Sequence, residues 1–433
     1  MCFEICWLCY FNFFIIIITI IILTVLAPAH LRLGANGRIK EKTLQPTFDF
    51  RDAHFYRPAT VSGWNIVNLD PSVRTSEVEQ ALCQCFPRLF NMLNVKFPSK
   101  PSQVVEDIHA LKLMPENDKD VVTFVILESS DSAFYVKVKK FFDDRSLTSQ
   151  CLQSKKAFAK GMNINMSYGM NVCYKVNSKL FGVNATVGPQ SPLCPVGETP
   201  PIMVLGYDCH HPPVGVTTGS MGCCVASLDG TYGLFAAEFM NMPSRKELHA
   251  PLEQPLKILL DKYKKRNHKQ GPPAILMFRD GVGQSQVDAV RRQEIPLLRD
   301  VFKGVPICVV MASKHHHIRI YKDGGDQVEN PDAGTMVDHD IVRENCFILC
   351  SHAPALGTSH PTIYEVIVND NPNWNMRQII EMTRDLCYLN PRCTKAGSIP
   401  APITHAHLAA NRARKVCQET KVYWNCFAHV LTV

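Results

Sequence analysis

The sequence predicts an α/β chain in two successive units, and three observations carry that reading. Apolar runs of strand length alternate with stretches of helical spacing from about residue 60 onward. A Pro-rich connection, Gly188-Pro-Gln-Ser-Pro-Leu-Cys-Pro195 through Pro200-Pro201, divides these runs into two groups. The second group opens with three runs joined by short turns, then continues as strand, helical stretch and strand. At 433 residues the chain is long enough for roughly two to three domains. With 46% hydrophobic, 20% charged and 9% aromatic residues, wholesale disorder, collagen and a multi-span membrane bundle are excluded.

The first segment, residues 1–44, reads as an apolar leader and linker. No Asp, Glu, Lys or Arg occurs from Ile5 to His30, and Phe13 to Ala27 reads FFIIIITIIILTVLA, so the uncharged stretch is long enough to span a bilayer. It lacks the basic start of a secretory signal and carries Glu4 instead. Arg32, Arg38, Lys40 and Lys42 follow it, so a single-pass anchor would keep the bulk of the chain cytoplasmic. The competing reading is a gene-model join that fused translated intron or upstream sequence to a truncated coding region. The 18 cysteines lack paired C-x-x-C knuckles outside this segment, where Cys6 and Cys9 lie, and imply reduced thiols in cytoplasm or nucleus.

Residues 45–195 hold a linker and the first α/β unit. Trp64-Asn-Ile-Val-Asn68 resembles a first strand, Ser76 to Leu93 has helical spacing, and Val121 to Leu127 reads as a buried strand. Residues 131–180 hold nine Lys/Arg against three Asp, a local +6 within a chain of net charge +7, which points to a polyanion partner.

Residues 196–433 form the second unit. Ile202-Met-Val-Leu205 ends in Gly206-Tyr207-Asp208, and Gly222 to Leu228 is followed by Asp229-Gly230 and by Thr231 to Ala237, so the unit begins as a three-strand antiparallel meander. Ala274 to Phe278 makes a fourth strand ending in Arg279-Asp280-Gly281. Gln284 to Leu298 is helical in spacing, and Pro306 to Met311 completes a β-α-β crossover. This is the ribonuclease H-like order.

Asp208 and Asp280 are both read as lying just past the end of an apolar strand. If those strands are parallel neighbours, the carboxylates face one another. Two such acids repel unless a hard cation neutralises them, so two Mg²⁺ or Mn²⁺ ions are the natural occupants. Paired ions can activate a water and stabilise the leaving oxygen of a phosphodiester, which is nuclease chemistry. Taken singly, either Asp fits a turn as well.

Longer motifs occur in order around them: Gly206-Tyr-Asp208-Cys-His-His-Pro-Pro213, Phe278-Arg-Asp280-Gly-Val282, Lys314-His-His-His-Ile-Arg319, Ala333-Gly-Thr-Met-Val-Asp338, Ser351-His-Ala353 with Gly357-Thr-Ser-His-Pro361, Arg392-Cys-Thr394 with Ser398-Ile-Pro-Ala-Pro402, and Ala406-His407-Leu408. Over about residues 45–415 the chain closely resembles the MID and PIWI domains of eukaryotic Argonaute proteins. The resemblance implies a Rossmann-like α/β MID domain followed by a ribonuclease H-like PIWI domain. It also implies a small guide RNA, a complementary target RNA and silencing cofactors as partners. The family's N-terminal and PAZ domains have no room before residue 45.

The resemblance assigns a metal-binding tetrad to Asp208, Glu247, Asp280 and His407. Glu247 also fits a helix-capping box, Ser244-Arg-Lys-Glu247, although Pro251 and Pro255 would break such a helix and favour a loop. His407 also reads as an ordinary helix histidine, and the His315 to His317 run cannot turn three rings on one zinc ion from regular structure. For the guide's 5′-phosphate the resemblance assigns Tyr135, Lys139, Gln150, Lys175, Lys179 and Arg412. Tyr135 and Lys139 stand four apart, as do Lys175 and Lys179, although Tyr-Val-Lys-Val-Lys equally fits an amphipathic strand. Lys314, Arg319, Arg392 and Ser398 are assigned to the guide backbone, where contacts carry no sequence information. The expected function is a guide-directed, Mg²⁺-dependent endoribonuclease of gene silencing. A non-cleaving guide-binding module and a truncated fragment are the alternatives.

Overall fold

The computed structural model describes residues 3–8, 17–35, 38–43, 53–112, 118–128, 132–158, 161–197, 199–213, 219–244, 251–281, 283, 286–323, 327–354, 356–390 and 392–420. The expected α/β architecture is present, with the two units built on separate sheets.

In the first unit the strands Gly63–Asn68, Gln103–Val105, Val121–Leu127 and Thr148–Gln153 form a four-stranded, all-parallel sheet. Gln103–Val105 lies at one edge, followed in space by Gly63–Asn68, Val121–Leu127 and Thr148–Gln153. That is the Rossmann-like arrangement. The helix Thr75–Met92 forms because Val78, Leu82, Phe86, Leu89 and Phe90 recur at helical spacing and bury one stripe. Phe86 stacks on Phe124 of the central strand at 4.6 Å between ring centroids. The Tyr-Val-Lys-Val-Lys segment is helical, not a strand, and lies within Ser132–Asp143. The helix Met166–Lys179 starts at Asn165, whose side chain accepts from the Ser167 and Tyr168 amides.

The second unit is a nine-stranded sheet. Met203–His210 pairs antiparallel with Ser220–Ser227, which pairs antiparallel with Phe235–Met242. On its other side Met203–His210 runs parallel to Ile275–Arg279, itself parallel to Ile307–Ser313. The meander and crossovers are those of a ribonuclease H-like fold. Thr362–Asn369, Cys346–Cys350 and Thr335–Val337 extend the sheet antiparallel, and Thr24–Val25 closes its edge.

Three expectations need correction. The third strand of the meander starts at Phe235 instead of Thr231, because the Asp229 carboxylate accepts from the Thr231 amide and hydroxyl and Tyr232 adopts a left-handed φ of 52°. Asp208 lies inside its strand, which continues to His210. The apolar leader is not a spanning helix over its described part. Ile17–Ile22 and Thr24–Val25 are strands, as suits a β-branched run, and Leu23 and Leu26 are buried. Among the described residues no helix is long and apolar enough to cross a membrane. His30–Ala35 pairs with Thr186–Val187, so residues before 45 contribute to the folded body instead of forming only a linker.

The helix Ala401–Thr420 decides where the site forms. It packs on Met203–His210 at Gly206, where a Cβ would stand 2.4 Å from the Pro402 carbonyl carbon and oxygen. Only glycine permits that approach.

Candidate functional site

Two adjacent sites depend on the helix Ala401–Thr420. The first lies at the strand ends of the large sheet. Tyr207 opposes Arg279 in parallel register, and the Asp280 amide donates to the Tyr207 carbonyl at 3.1 Å, so Asp208 and Asp280 occupy neighbouring positions. The Cys209 amide donates to Asp208 Oδ1 at 2.8 Å, and the Gly281 amide donates to Asp280 Oδ1 at 2.7 Å. Asp208 is buried and Asp280 half-buried. Burial first, and the Asp208 charge second, push the Asp280 carboxyl up to about 6.

His407 reaches this pair from the helix. Its Nδ1 lies 2.7 Å from Asp208 Oδ2, and this hydrogen bond, followed by the carboxylate charge, raises the imidazole above its ordinary range. His210 lies edge-on to His407, with ring centroids 5.9 Å apart. Three of the four expected tetrad residues therefore sit together, while Glu247 lies outside the described residues.

Hard oxygen donors in repulsion suit a divalent cation. Yet among the described residues no three His, Cys, Asp or Glu side chains already form a group that could hold a metal ion. The imidazole is hydrogen-bonded to one carboxylate instead. The expected ligand types fit such ions, but their present side-chain arrangement is that of a hydrogen-bonded pair with an adjoining acid.

The second site is a cavity of about 320 Å³ lined by Tyr135, Lys139, Gln150, Cys151, Lys175, Lys179, Arg392, Leu408, Asn411, Arg412 and Lys415. All six residues assigned to a terminal phosphate meet there, from two helices and a strand of the first unit and from the helix Ala401–Thr420. Lys139 and Lys179 both donate to the Ser149 carbonyl at 2.9 Å, and Lys179 also donates to Gln150 Oε1 at 2.9 Å. Burial first, then the neighbouring Lys139 and Arg412, push Lys179 well below the usual lysine range. Burial and Arg392 lower Lys175 likewise. Arg412 donates to both oxygens of Asp143. This concentration of positive charge can accept a multiply charged anion, with Tyr135 offering a ring face.

The backbone-assigned residues divide, with Lys314 and Ser398 paired and Arg319 and Arg392 each engaged elsewhere. Lys314 Nζ donates to Ser398 Oγ at 2.5 Å, and the Asp280 charge partly opposes the lowering of Lys314 by burial. Arg319 donates to its neighbour's Ile318 carbonyl at 2.8 Å and lies 2.9 Å from His360 Nε2. Arg392 lines the phosphate-sized cavity. Sequence reasoning missed Asn411, Lys415 and Asp143. Their spacing could have shown them: Leu408, Asn411, Arg412 and Lys415 share a helix face, and Asp143 stands two turns beyond Tyr135.

A family model described as the Piwi domain matches residues 121–418. The chain belongs to the Argonaute/Piwi family. Among its relatives, protein argonaute 18 of Oryza sativa subsp. japonica is 31% identical over 421 residues, which are 90% of this chain and 38% of the relative. Protein argonaute 6 of Arabidopsis thaliana is 28% identical over 434 residues, 92% of this chain and 47% of the relative. The chain thus spans less than half the length of either. The C-terminal lobe of a budding yeast Argonaute superposes with a TM-score of 0.79 at 19% identity, covering 94% of this chain and 92% of that one. Kluyveromyces polysporus Argonaute with a guide RNA gives 0.77 at 20% identity, over 93% of this chain and 54% of that one. These likenesses show that the Argonaute chain has the MID-PIWI lobe fold.

Proposed function

We propose that this chain binds a small guide RNA by its 5′-phosphate and cuts a complementary target RNA in a divalent-metal-dependent reaction. The observation that carries the proposal is the joint placement, by one helix, of His407 against Asp208 beside Asp280 and of Arg412 in the cationic cavity. A guide anchored in the cavity would run towards Lys314, Ser398 and Arg319, whose charges and hydroxyl suit backbone phosphates. Base pairing with the guide would then supply sequence selection.

In the reaction Asp208, Asp280 and His407 are assigned as ligands of two Mg²⁺ or Mn²⁺ ions, with Glu247 as the fourth member of the tetrad. Bound ions would activate the attacking water and stabilise the leaving oxygen. The chain's own contribution is positional. The Cys209 and Gly281 amides fix the two carboxylates, and the Asp208 contact orients the His407 ring and increases its affinity for a proton. In the cavity Lys139, Lys175, Lys179 and Arg412 would share the phosphate charge, with Gln150 orienting Lys179. The setting is gene silencing in cytoplasm or nucleus, with further silencing proteins as partners.

The second reading is a guide-binding module that does not cut, favoured by the hydrogen bond that engages His407 Nδ1 with Asp208 Oδ2. Single-turnover assays with a 5′-phosphorylated guide, a matched target and Mg²⁺ separate the two. Cutting that EDTA and Asp280→Ala both abolish supports the nuclease; tight guide and target binding with intact target supports the module.

A further inference from the structure

The face of the sheet opposite the two carboxylates holds a charge pair that the proposed reaction does not use. Successive residues of a strand point to opposite sides, so while Asp208 and Asp280 share one side, Tyr207 and Arg279 share the other. Arg279 is fully buried. Its Nε donates to Glu294 Oε2 at 3.2 Å and its Nη2 donates to Glu294 Oε1 at 3.3 Å, while the guanidinium lies 4.2 Å from the Tyr207 ring centroid. The remaining nitrogen, Nη1, donates to the main-chain carbonyl of Asp280. The Asp280 amide is held from the other side by the Tyr207 carbonyl. One buried guanidinium thus ties the helix Val287–Val301, the neighbouring strand and the peptide of Asp280 together.

We propose that Arg279 and Glu294 are positioning residues: a buried clamp that sets the main chain of Asp280 so that its carboxylate meets Asp208 at a shared cation site. The inference rests on the nuclease reading above and adds to it the residues that hold the site's geometry. A stability role is a poor explanation for such a pair. Replacing both members of a buried ion pair by apolar residues of similar volume is often neutral or stabilising, whereas removing one strands the other's charge. All three guanidinium nitrogens are engaged, and one is spent on the peptide of the proposed metal ligand.

The test is the double variant Arg279→Met with Glu294→Leu, with Arg279→Lys as a second variant that keeps the charge but not the planar fork. Three quantities are read: melting temperature, single-turnover cleavage with guide and target saturating, and hydrogen exchange at the Asp280 amide in the RNA-free protein. The expected result is an unchanged or higher melting temperature in the double variant and unchanged guide and target affinity. Cleavage should be slower by about 100-fold, the scale of a misplacement near 1 Å, and Asp280 exchange faster. Arg279→Lys should show the same directions to a smaller extent. Unchanged Asp280 exchange overturns the clamp, and so does cleavage within about threefold of wild type, a factor below 1 kcal/mol. Exchange needs no RNA, so it judges the clamp even if the wild-type chain cuts nothing, a result that sinks the nuclease reading alone.

Discussion

Gly206→Ala is the smallest change that tests whether one helix assembles both sites. The added methyl carbon would stand 2.4 Å from the Pro402 carbonyl carbon and oxygen, against an ordinary contact of at least 3.4 Å. The obstacle is backbone, so the start of the helix Ala401–Thr420 must retreat by roughly 1 Å, the difference between these distances, and overpacking of this kind costs about 1–3 kcal/mol. His407 stands five residues along that helix and Arg412 ten. A shift near 1 Å would break the 2.7 Å contact between His407 and Asp208. Cleavage is expected to fall by about 100-fold, and preference for 5′-phosphorylated over 5′-hydroxyl guide should narrow in the same variant. The assays are single-turnover cleavage and fluorescence anisotropy with the two guide forms, beside a melting curve. A variant that melts, binds and cuts like wild type would refute the reasoning.

Lys179→Met removes the cavity ammonium that donates to both the Ser149 carbonyl and Gln150 Oε1. One charge-assisted hydrogen bond is worth about 1.5–3 kcal/mol, so affinity for a 5′-phosphorylated guide should fall about 10- to 150-fold while 5′-hydroxyl binding stays constant. Equal losses for both guides in anisotropy titrations would remove Lys179 from phosphate recognition. Asp280 sets a pH dependence. Its folded-state value of about 6 lies above the ordinary 3.8, so the folded chain binds the extra proton between these values, its stabilising effect is lost as pH rises through 6, and Asp280 is ionised only above that. Mn²⁺ affinity followed by electron paramagnetic resonance should therefore weaken as pH falls below about 6, and Asp208→Asn should move that midpoint downwards; a flat profile from pH 5 to 7.5 would contradict the site. Leu26→Ala should lower unfolding free energy by about 2–4 kcal/mol, because Leu26 is buried in the core; an unchanged denaturant midpoint would restore the reading of this segment as external to the fold.

The parts of the site legible in the sequence were those written in local pattern. Apolar runs ending near Asp208 and Asp280 placed both acids at strand ends, while the parallel pairing of those two strands, which makes them neighbours, is a long-range contact that the sequence reading could state only as a condition. The Tyr135 and Lys139 spacing fitted helix or strand equally, because a Val-Lys-Val-Lys repeat alternates as well as it winds; packing of Val136 and Val138 into separate clusters accompanies the helix. His407 could be assigned only through resemblance, since its approach to Asp208 depends on a glycine and a proline nearly two hundred residues apart. The strands of the leader's described part were not legible because a hydropathy pattern alone does not distinguish a β-branched strand from a bilayer helix. The helical spacing from Tyr135 could have placed Asp143 on the same face, but its pairing with Arg412, 269 residues away, could not be read from local pattern.

Anomalous scattering from crystals soaked in Mn²⁺ would examine the proposed cation site directly. The nuclease account predicts two peaks roughly 3.5–4 Å apart, with Asp208 and Asp280 oxygens at about 2.0–2.2 Å from them and His407 turned from its carboxylate partner to the metal. Crystals with guide RNA seated in the cationic cavity, no metal peak at the carboxylates and His407 still bonded to Asp208 would contradict it.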